Sequence, residues 1–297
     1  MERTPVSLLR LDLQHARPLM VVGAPRCGTR FVAYTLNLHR SILVQGEIPD
    51  PAMANAVRFL SETSDFYASE GRWAASWEQS RRDLLYRIWA SMVKSTPRVT
   101  GATITWFGHK TPRHDRYWKF YRDFLGDIGP KYVFCIRNFV DHYLSMISMN
   151  EYDTIDHVAK KYRDSIARYA QMKAALGRNV SLFVLDELRE GGIDYIRERL
   201  FERLEIEVDG RTLSRINTSR RANSTEGAGR FRRKELTANE RLFLEDNQDL
   251  LEALEAVRDA RPLTPSTGKA AGLNRAIKRL WGHRRGPEKA FTTSLKS

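Results

Sequence analysis

Leu19-Met20-Val21-Val22-Gly23-Ala24-Pro25-Arg26-Cys27-Gly28-Thr29 is an apolar run that breaks at a glycine/proline turn and restarts as a helix. The run is short enough for a buried parallel strand, and Phe31, Val32, Leu36 and Leu38 then fall on one broad helical face. The pattern is a strand, a phosphate loop and a helix. In such a turn the backbone amides and the positive end of the helix dipole converge on one point, where Arg26 adds a full charge. An anion is expected there. Gly23 and Gly28 have the four-residue gap of a triphosphate-binding loop. Thr29, however, stands where that loop needs lysine, and Arg30 where it needs a magnesium-binding hydroxyl, so two working parts are missing.

Outward from this stretch, strand patterns recur at about 18–22, 42–45, 103–107, 131–136 and 180–185, separated by helical stretches. That alternation predicts an α/β fold: a single domain with a central parallel sheet flanked by helices. Ligands of open parallel sheets bind beyond the carboxyl ends of the strands. Four strand ends lead to Arg26, to Gly46-Glu47, to His109-Lys110 and to Arg137-Asn138, which places three cations and one carboxylate on one rim.

The 297 residues are 42% hydrophobic, enough for one large α/β core, which we place at residues 1–260. Residues 50–98 read as a helical insert rich in aromatics, including Phe59, Phe66, Tyr67, Trp73, Trp77, Tyr86 and Trp89. It is either docked on the sheet or presented to an acceptor. A loop at 217–234 combines glycines with Arg230, Arg232, Arg233 and Lys234, the composition of a mobile lid. Thr237 and Glu240 form a capping box, opening a helix through Leu242, Leu250, Leu251 and Leu254.

The formal charge of +13 suggests nucleic acid until it is located. From Arg261 onward nine cations stand against Glu288 alone, a net +8, which leaves +5 for residues 1–260. The tail, 261–297, is thus a basic appendage, either solvated or an amphipathic helix able to touch a membrane surface. No stretch is long and apolar enough to span a bilayer, so a soluble, cytoplasmic chain is expected, peripheral at most. Cys27 and Cys135 give neither a disulfide framework nor metal-ligand spacing.

The loop Gly23-x-Pro25-Arg26-x-Gly28-Thr29 resembles the 5′-phosphosulfate loop of sulfotransferases that use 3′-phosphoadenosine 5′-phosphosulfate (PAPS). The resemblance implies a phosphate-loop-kinase-like sulfotransferase fold, no metal, and cofactor contacts from Gly23, Pro25, Arg26, Cys27, Gly28, Thr29 and Arg30. Lys131-Tyr-Val-Phe-Cys-Ile136, stopped by Arg137-Asn138 with Ser145 eight residues past the arginine, resembles the same family's 3′-phosphate motif. Gly46-Glu47 is similar to a Gly-Glu pair of tyrosylprotein and nodulation-factor sulfotransferases, which makes Glu47 the implied base for the acceptor hydroxyl. Gly108-His109-Lys110-Thr111-Pro112 resembles a lysine-bearing segment whose ammonium stabilises charge as sulfate leaves. His109 and His114 are rival bases ranked below Glu47, and Asp186-Glu187 resembles a structural carboxylate step. Cys27 stands where relatives often carry serine and reads as a small tolerated residue.

Sulfuryl transfer to a glycan or glycolipid hydroxyl is therefore expected, with a tyrosine peptide as the alternative acceptor and no specific nucleic-acid partner. A chain read without an amino-terminal anchor further implies a bacterial-type enzyme. A phosphate-loop kinase and a non-enzymatic binder of acidic surfaces are the competing classes.

Overall fold

The computed structural model describes residues 13, 15–71, 73–93, 103–149, 153–218 and 233–258. Five strands, β1 (Arg17–Gly23), β2 (Ile42–Gln45), β3 (Trp106–His109), β4 (Lys131–Ile136) and β5 (Val180–Val184), form one parallel sheet in the order β2-β3-β1-β4-β5. Nearly every strand residue is buried, as expected of a sheet covered on both faces. Strand alternation sends Met20, Val22, Phe107, Tyr132 and Phe134 to one face, and Leu19, Val21, Val133 and Cys135 to the other. Each large apolar side chain buried there contributes roughly 1.5–3 kcal/mol.

The first face is covered by α3 (Ala74–Met92), α4 (Trp118–Leu125), α5 (Phe139–Ile147), α6 (Ile155–Leu176) and α10 (Asp249–Arg258). The second is covered by α1 (Thr29–Leu36) and α7 (Leu188–Ile196). β1 lies at the centre of the sheet, so its loop projects from the middle of the rim.

Four of the five expected strands are found within a residue or so of their places, and the third is displaced to 106–109. Gly108 looks like a breaker, yet it lies inside β3 because a Cβ there would overlap the Leu19 backbone carbonyl of β1. Here the glycine permits a close strand approach rather than a turn. The last helix is also corrected. It is two helices, α9 (Ala238–Asp246) and α10, broken at Asn247. Asn247 Nδ2 donates to Phe243 O at 2.8 Å while its Oδ1 accepts from Arg163 at 2.8 Å, so its amide competes with the helical ladder. The Thr237–Glu240 capping box is present as expected.

In the aromatic insert, α2 (Asp50–Ser69) and α3 form a hairpin. Tyr86 and Trp89 of α3 are fully buried against Phe107, and the Tyr86 hydroxyl donates to Ala16 O at 2.9 Å, so α3 is docked on the sheet. Phe59, Phe66 and Trp73 remain exposed. The basic tail at 261–297, and all of the 217–234 loop but its ends, lie outside the described residues. Among the described residues no helix is long and apolar enough to cross a membrane.

Candidate active site

The loop after β1 turns through Gly28, whose φ of 87° caps α1 in the left-handed region that favours glycine. A Cβ there would also press on Leu185 at 2.9 Å. Arg26 holds a left-handed φ of 65° without being glycine, a strained backbone of the kind stored at working sites. Its half-buried guanidinium donates from Nε to Ser145 Oγ at 3.2 Å. Burial, and next the charge of Arg137, lower the Arg26 pKa, so two guanidinium groups share one neighbourhood. Three residues that the sequence placed on separate elements thus meet because β1 and β4 are adjacent. Thr29 is buried in the first turn of α1, and Arg30 is exposed beside it.

Arg137 is positioned by its neighbours. Asp141 accepts from its Nη2 at 2.7 Å, and Tyr162 donates to its carbonyl at 2.8 Å. Asn138 caps α5 by accepting from Asp141 N at 2.9 Å. Asp186 accepts from both Asn138 N and Nδ2, each at 2.7 Å, locking the turn that carries Arg137. Asp186 therefore has the structural role expected of it. Glu187 pairs with Arg258 at 2.8 Å. Cys27 is fully buried with Sγ 3.5 Å from His142 Nδ1, and burial raises its thiol pKa, which suits a packing residue rather than a reactive one.

On the other side of the loop the turn from β2 into α2 is stitched to the end of β3. Lys110 N donates to Gln45 O at 3.0 Å, Thr111 N to Val21 O at 3.1 Å, and Ile48 N to Thr111 Oγ1 at 3.1 Å. These bonds bring the Lys110 ammonium into a direct ion pair with the Glu47 carboxylate. Lys110 is largely buried, whereas Glu47 is open to solvent.

His109 points the other way, into the core. It is fully buried, bonded to Thr111 Oγ1 at 3.0 Å and Tyr121 OH at 3.4 Å, and edge-on to Trp89. Burial, then His114 and Lys110, hold its pKa well below the usual value. It has no route to an acceptor. His114 is buried next to it and held down to about 4, mainly by burial.

Sequence reasoning missed Asp50, which pairs with Arg116 and accepts from the Tyr117 hydroxyl at 3.2 Å. The available signal was a carboxylate at the first position of a helix directly after Glu47. The rim as built brings together two guanidinium groups, a hydroxyl and a helix start, and carries at the end of β3 a carboxylate touching an ammonium. That set suits transfer of an anionic group to a hydroxyl whose proton the carboxylate removes. Among the described residues no group of His, Cys, Asp and Glu side chains is arranged to hold a metal ion.

A model of the sulfotransferase family matches residues 18–184, which span β1 to β5 and every rim residue above except Asp186 and Glu187. No curated protein matches the chain at a significant level. Among solved structures, it is similar to sulfotransferase STF9 from Mycobacterium avium at 17% identity, with 71% of this chain and 68% of that one covered and a TM-score of 0.42. It is similar to mouse sulfotransferase SULT7A1 complexed with PAP at 14% identity, with 85% and 89% covered and a TM-score of 0.47. A sulfotransferase from Alicyclobacillus acidocaldarius matches at 17% identity, with 82% and 99% covered and a TM-score of 0.46.

Proposed function

The chain belongs to the sulfotransferase family, and from that premise we propose that it transfers the sulfuryl group of PAPS to a hydroxyl of a glycan or glycolipid. The observation that carries this reading is that the Glu47–Lys110 ion pair and the Arg26–Ser145–Arg137 cluster share the carboxyl rim of the sheet, at the ends of adjacent strands. The donor chemistry fits the group. Arg137 Nε is buried and without a hydrogen-bond partner, and a phosphate oxygen would supply one. Arg26 and the first amides of α1 would hold the 5′-phosphosulfate, with Gly23, Pro25, Cys27, Gly28, Thr29 and Arg30 shaping that loop. Arg137 and Ser145 would hold the 3′-phosphate.

Bound there, PAPS supplies an activated sulfuryl group. Glu47 takes the proton from the attacking hydroxyl. Lys110 and Arg26 hold the negative charge that grows on the departing bridging oxygen, a preorganised contribution typically worth on the order of 10²–10³ in rate per donor. Positioning supplies much of the remainder.

The test is a thermal shift with 3′-phosphoadenosine 5′-phosphate against ADP and AMP. A ligand bound only by the folded state raises its melting temperature. The 3′-phosphorylated nucleotide should stabilise most, and equal shifts for all three would overturn the reading.

A further inference from the structure

Three residues beyond Glu47, on the same turn, stands a second carboxylate for which the transfer chemistry has no use. Asp50 and Glu47 each leave 47% of the side chain exposed, so both open toward solvent at the rim. Asp50 is nonetheless carefully surrounded. Arg116 pairs with Oδ2, and the Tyr117 hydroxyl donates to Oδ1 at 3.2 Å. The Arg116 guanidinium lies 5.3 Å from the Tyr117 ring centroid, and both side chains are partly open.

Beneath them is His114, 1% exposed, with Nε2 3.6 Å from Asp50 Oδ1, too far for a hydrogen bond. Neither of its ring nitrogens has a hydrogen-bond partner among the described residues. The negative charges of both Asp50 and Glu47 act on His114. Burying an imidazole with both nitrogens unsatisfied is costly, and such groups in native proteins have a partner or a task.

The chemistry of the cluster narrows what it can receive. A carboxylate beside a guanidinium offers acceptors and donors side by side, the complement of neighbouring hydroxyls that each donate and accept. Tyr117 adds an aromatic edge, and His114, closed to solvent, packs beneath as a floor. A simple phenol carries one hydroxyl and would leave these groups unused. A carbohydrate would use the exposed carboxylate, guanidinium and phenol together.

We propose that Asp50, Arg116 and Tyr117, floored by His114, form an acceptor subsite that holds a second hydroxyl of a carbohydrate while Glu47 takes the proton from the first. The proposal rests on the transfer reading above, with Glu47 as the base.

The test is a saturation-transfer NMR titration of the full chain, loaded with 3′-phosphoadenosine 5′-phosphate, against neutral tetrasaccharides built on glucose, galactose and N-acetylglucosamine. A tyrosine-containing acidic peptide is the counter-probe. At least one tetrasaccharide should bind, and Asp50→Asn and Arg116→Gln should each weaken it by roughly 10-fold or more. Nucleotide affinity should be unchanged in both. Tyr117→Phe keeps the ion pair and covers the case in which the charge variants fail to fold; a loss of a few-fold is expected.

Nucleotide binding without tetrasaccharide binding overturns this subsite alone, as does binding of the peptide only or equal tetrasaccharide affinity in wild type and variants. Failure to bind the nucleotide overturns the transfer reading and this proposal with it.

Discussion

The two halves of the sheet's carboxyl rim are built to different standards of completion. On the β4–β5 side, Asp186 satisfies both donors of Asn138, Asn138 caps α5, and Tyr162 fixes the Arg137 carbonyl. Arg137 Nε is left over, 3.6 Å from Asp186 Oδ1. On the β2–β3 side the amide of Gln45 and both nitrogens of His114 are buried without hydrogen-bond partners among the described residues. They adjoin one imidazole, since Gln45 is the register partner of His109, and the His114 ring lies 5.3 Å from it. At the turn after β4 the first half is a closely bonded mould that leaves Arg137 Nε over. The second carries unspent polar capacity beneath the proposed base. A site that receives one constant ligand and one variable one would divide in this way, because preorganisation serves the first and a less tightly bonded floor lets the second half adjust.

The largest effects should fall on the chemistry at the junction of the halves. Glu47→Gln should lower transfer by roughly 10²–10⁴ while leaving affinity for 3′-phosphoadenosine 5′-phosphate near wild type. Lys110→Ala should cost on the order of 10²–10³ in rate. Both are read from single-turnover sulfate transfer alongside nucleotide calorimetry. Undiminished turnover in the Glu47 variant would remove the base from the β2–β3 half and collapse the distinction.

Next in size is the mould itself. Arg137→Ala should weaken the 3′-phosphorylated nucleotide by roughly 10–100-fold and leave ADP binding almost untouched, since charge-assisted bonds to one phosphate are what it removes. Asp186→Ala touches no ligand but removes two bonds from Asn138, leaving its backbone N without that acceptor and its Nδ2 with only the 3.2 Å bond to Asp141. A loss of about 1–3 kcal/mol in stability is expected, measured by urea unfolding. If Asp186→Ala proved neutral, the cofactor half would be no better made than the other.

This asymmetry was only half legible in the sequence. The strands, the loop and the strand-end residues follow from apolar periodicity and glycine placement, which are local signals. Arg26 meeting Ser145 is not local, because it requires β4 to lie beside β1, a choice made by packing of the whole sheet. The third strand was expected to end at 107, just before Gly108, for a related reason: only the Leu19 carbonyl across the sheet explains a glycine inside β3. Asp50, Arg116 and His114 went unread as a group because Asp50 and Arg116 look like ordinary surface residues, and His114 like a lone rival base, until α2 and the turn after β3 are brought together. A helix after Arg137-Asn138 was legible, but the Asn138 cap on Asp141 and the lock from Asp186 did not announce themselves.

The smallest effect separates the halves through one histidine from each. His142 is pushed down to about 4 by burial and then by Arg137, with Lys161 adding to it, while a bond to the Pro25 backbone opposes the shift. His114 is also pushed down to about 4, by burial and Arg116, against Asp50 and Glu47. Both are neutral in the fold, whereas the unfolded chain takes up protons below the ordinary value of 6.5. Their stability contribution is therefore complete above that value and is lost as pH falls toward 4. Asp115 runs oppositely. Burial lifts its carboxyl from 3.8 to about 6, so its contribution is present at low pH and lost as pH rises through 6. With His109 also held neutral, the histidines outnumber it, and the melting temperature should fall between pH 7 and 4.5. His114→Gln and His142→Gln should each flatten that fall. At pH 7 they should part: His142→Gln gives up its contacts with Pro25 and Cys27 and should lose about 1 kcal/mol, a few degrees of melting temperature. His114→Gln breaks no hydrogen bond and should cost less, because the glutamine inherits a site that was never satisfied. Equal losses at pH 7 would mean that the two halves are finished alike.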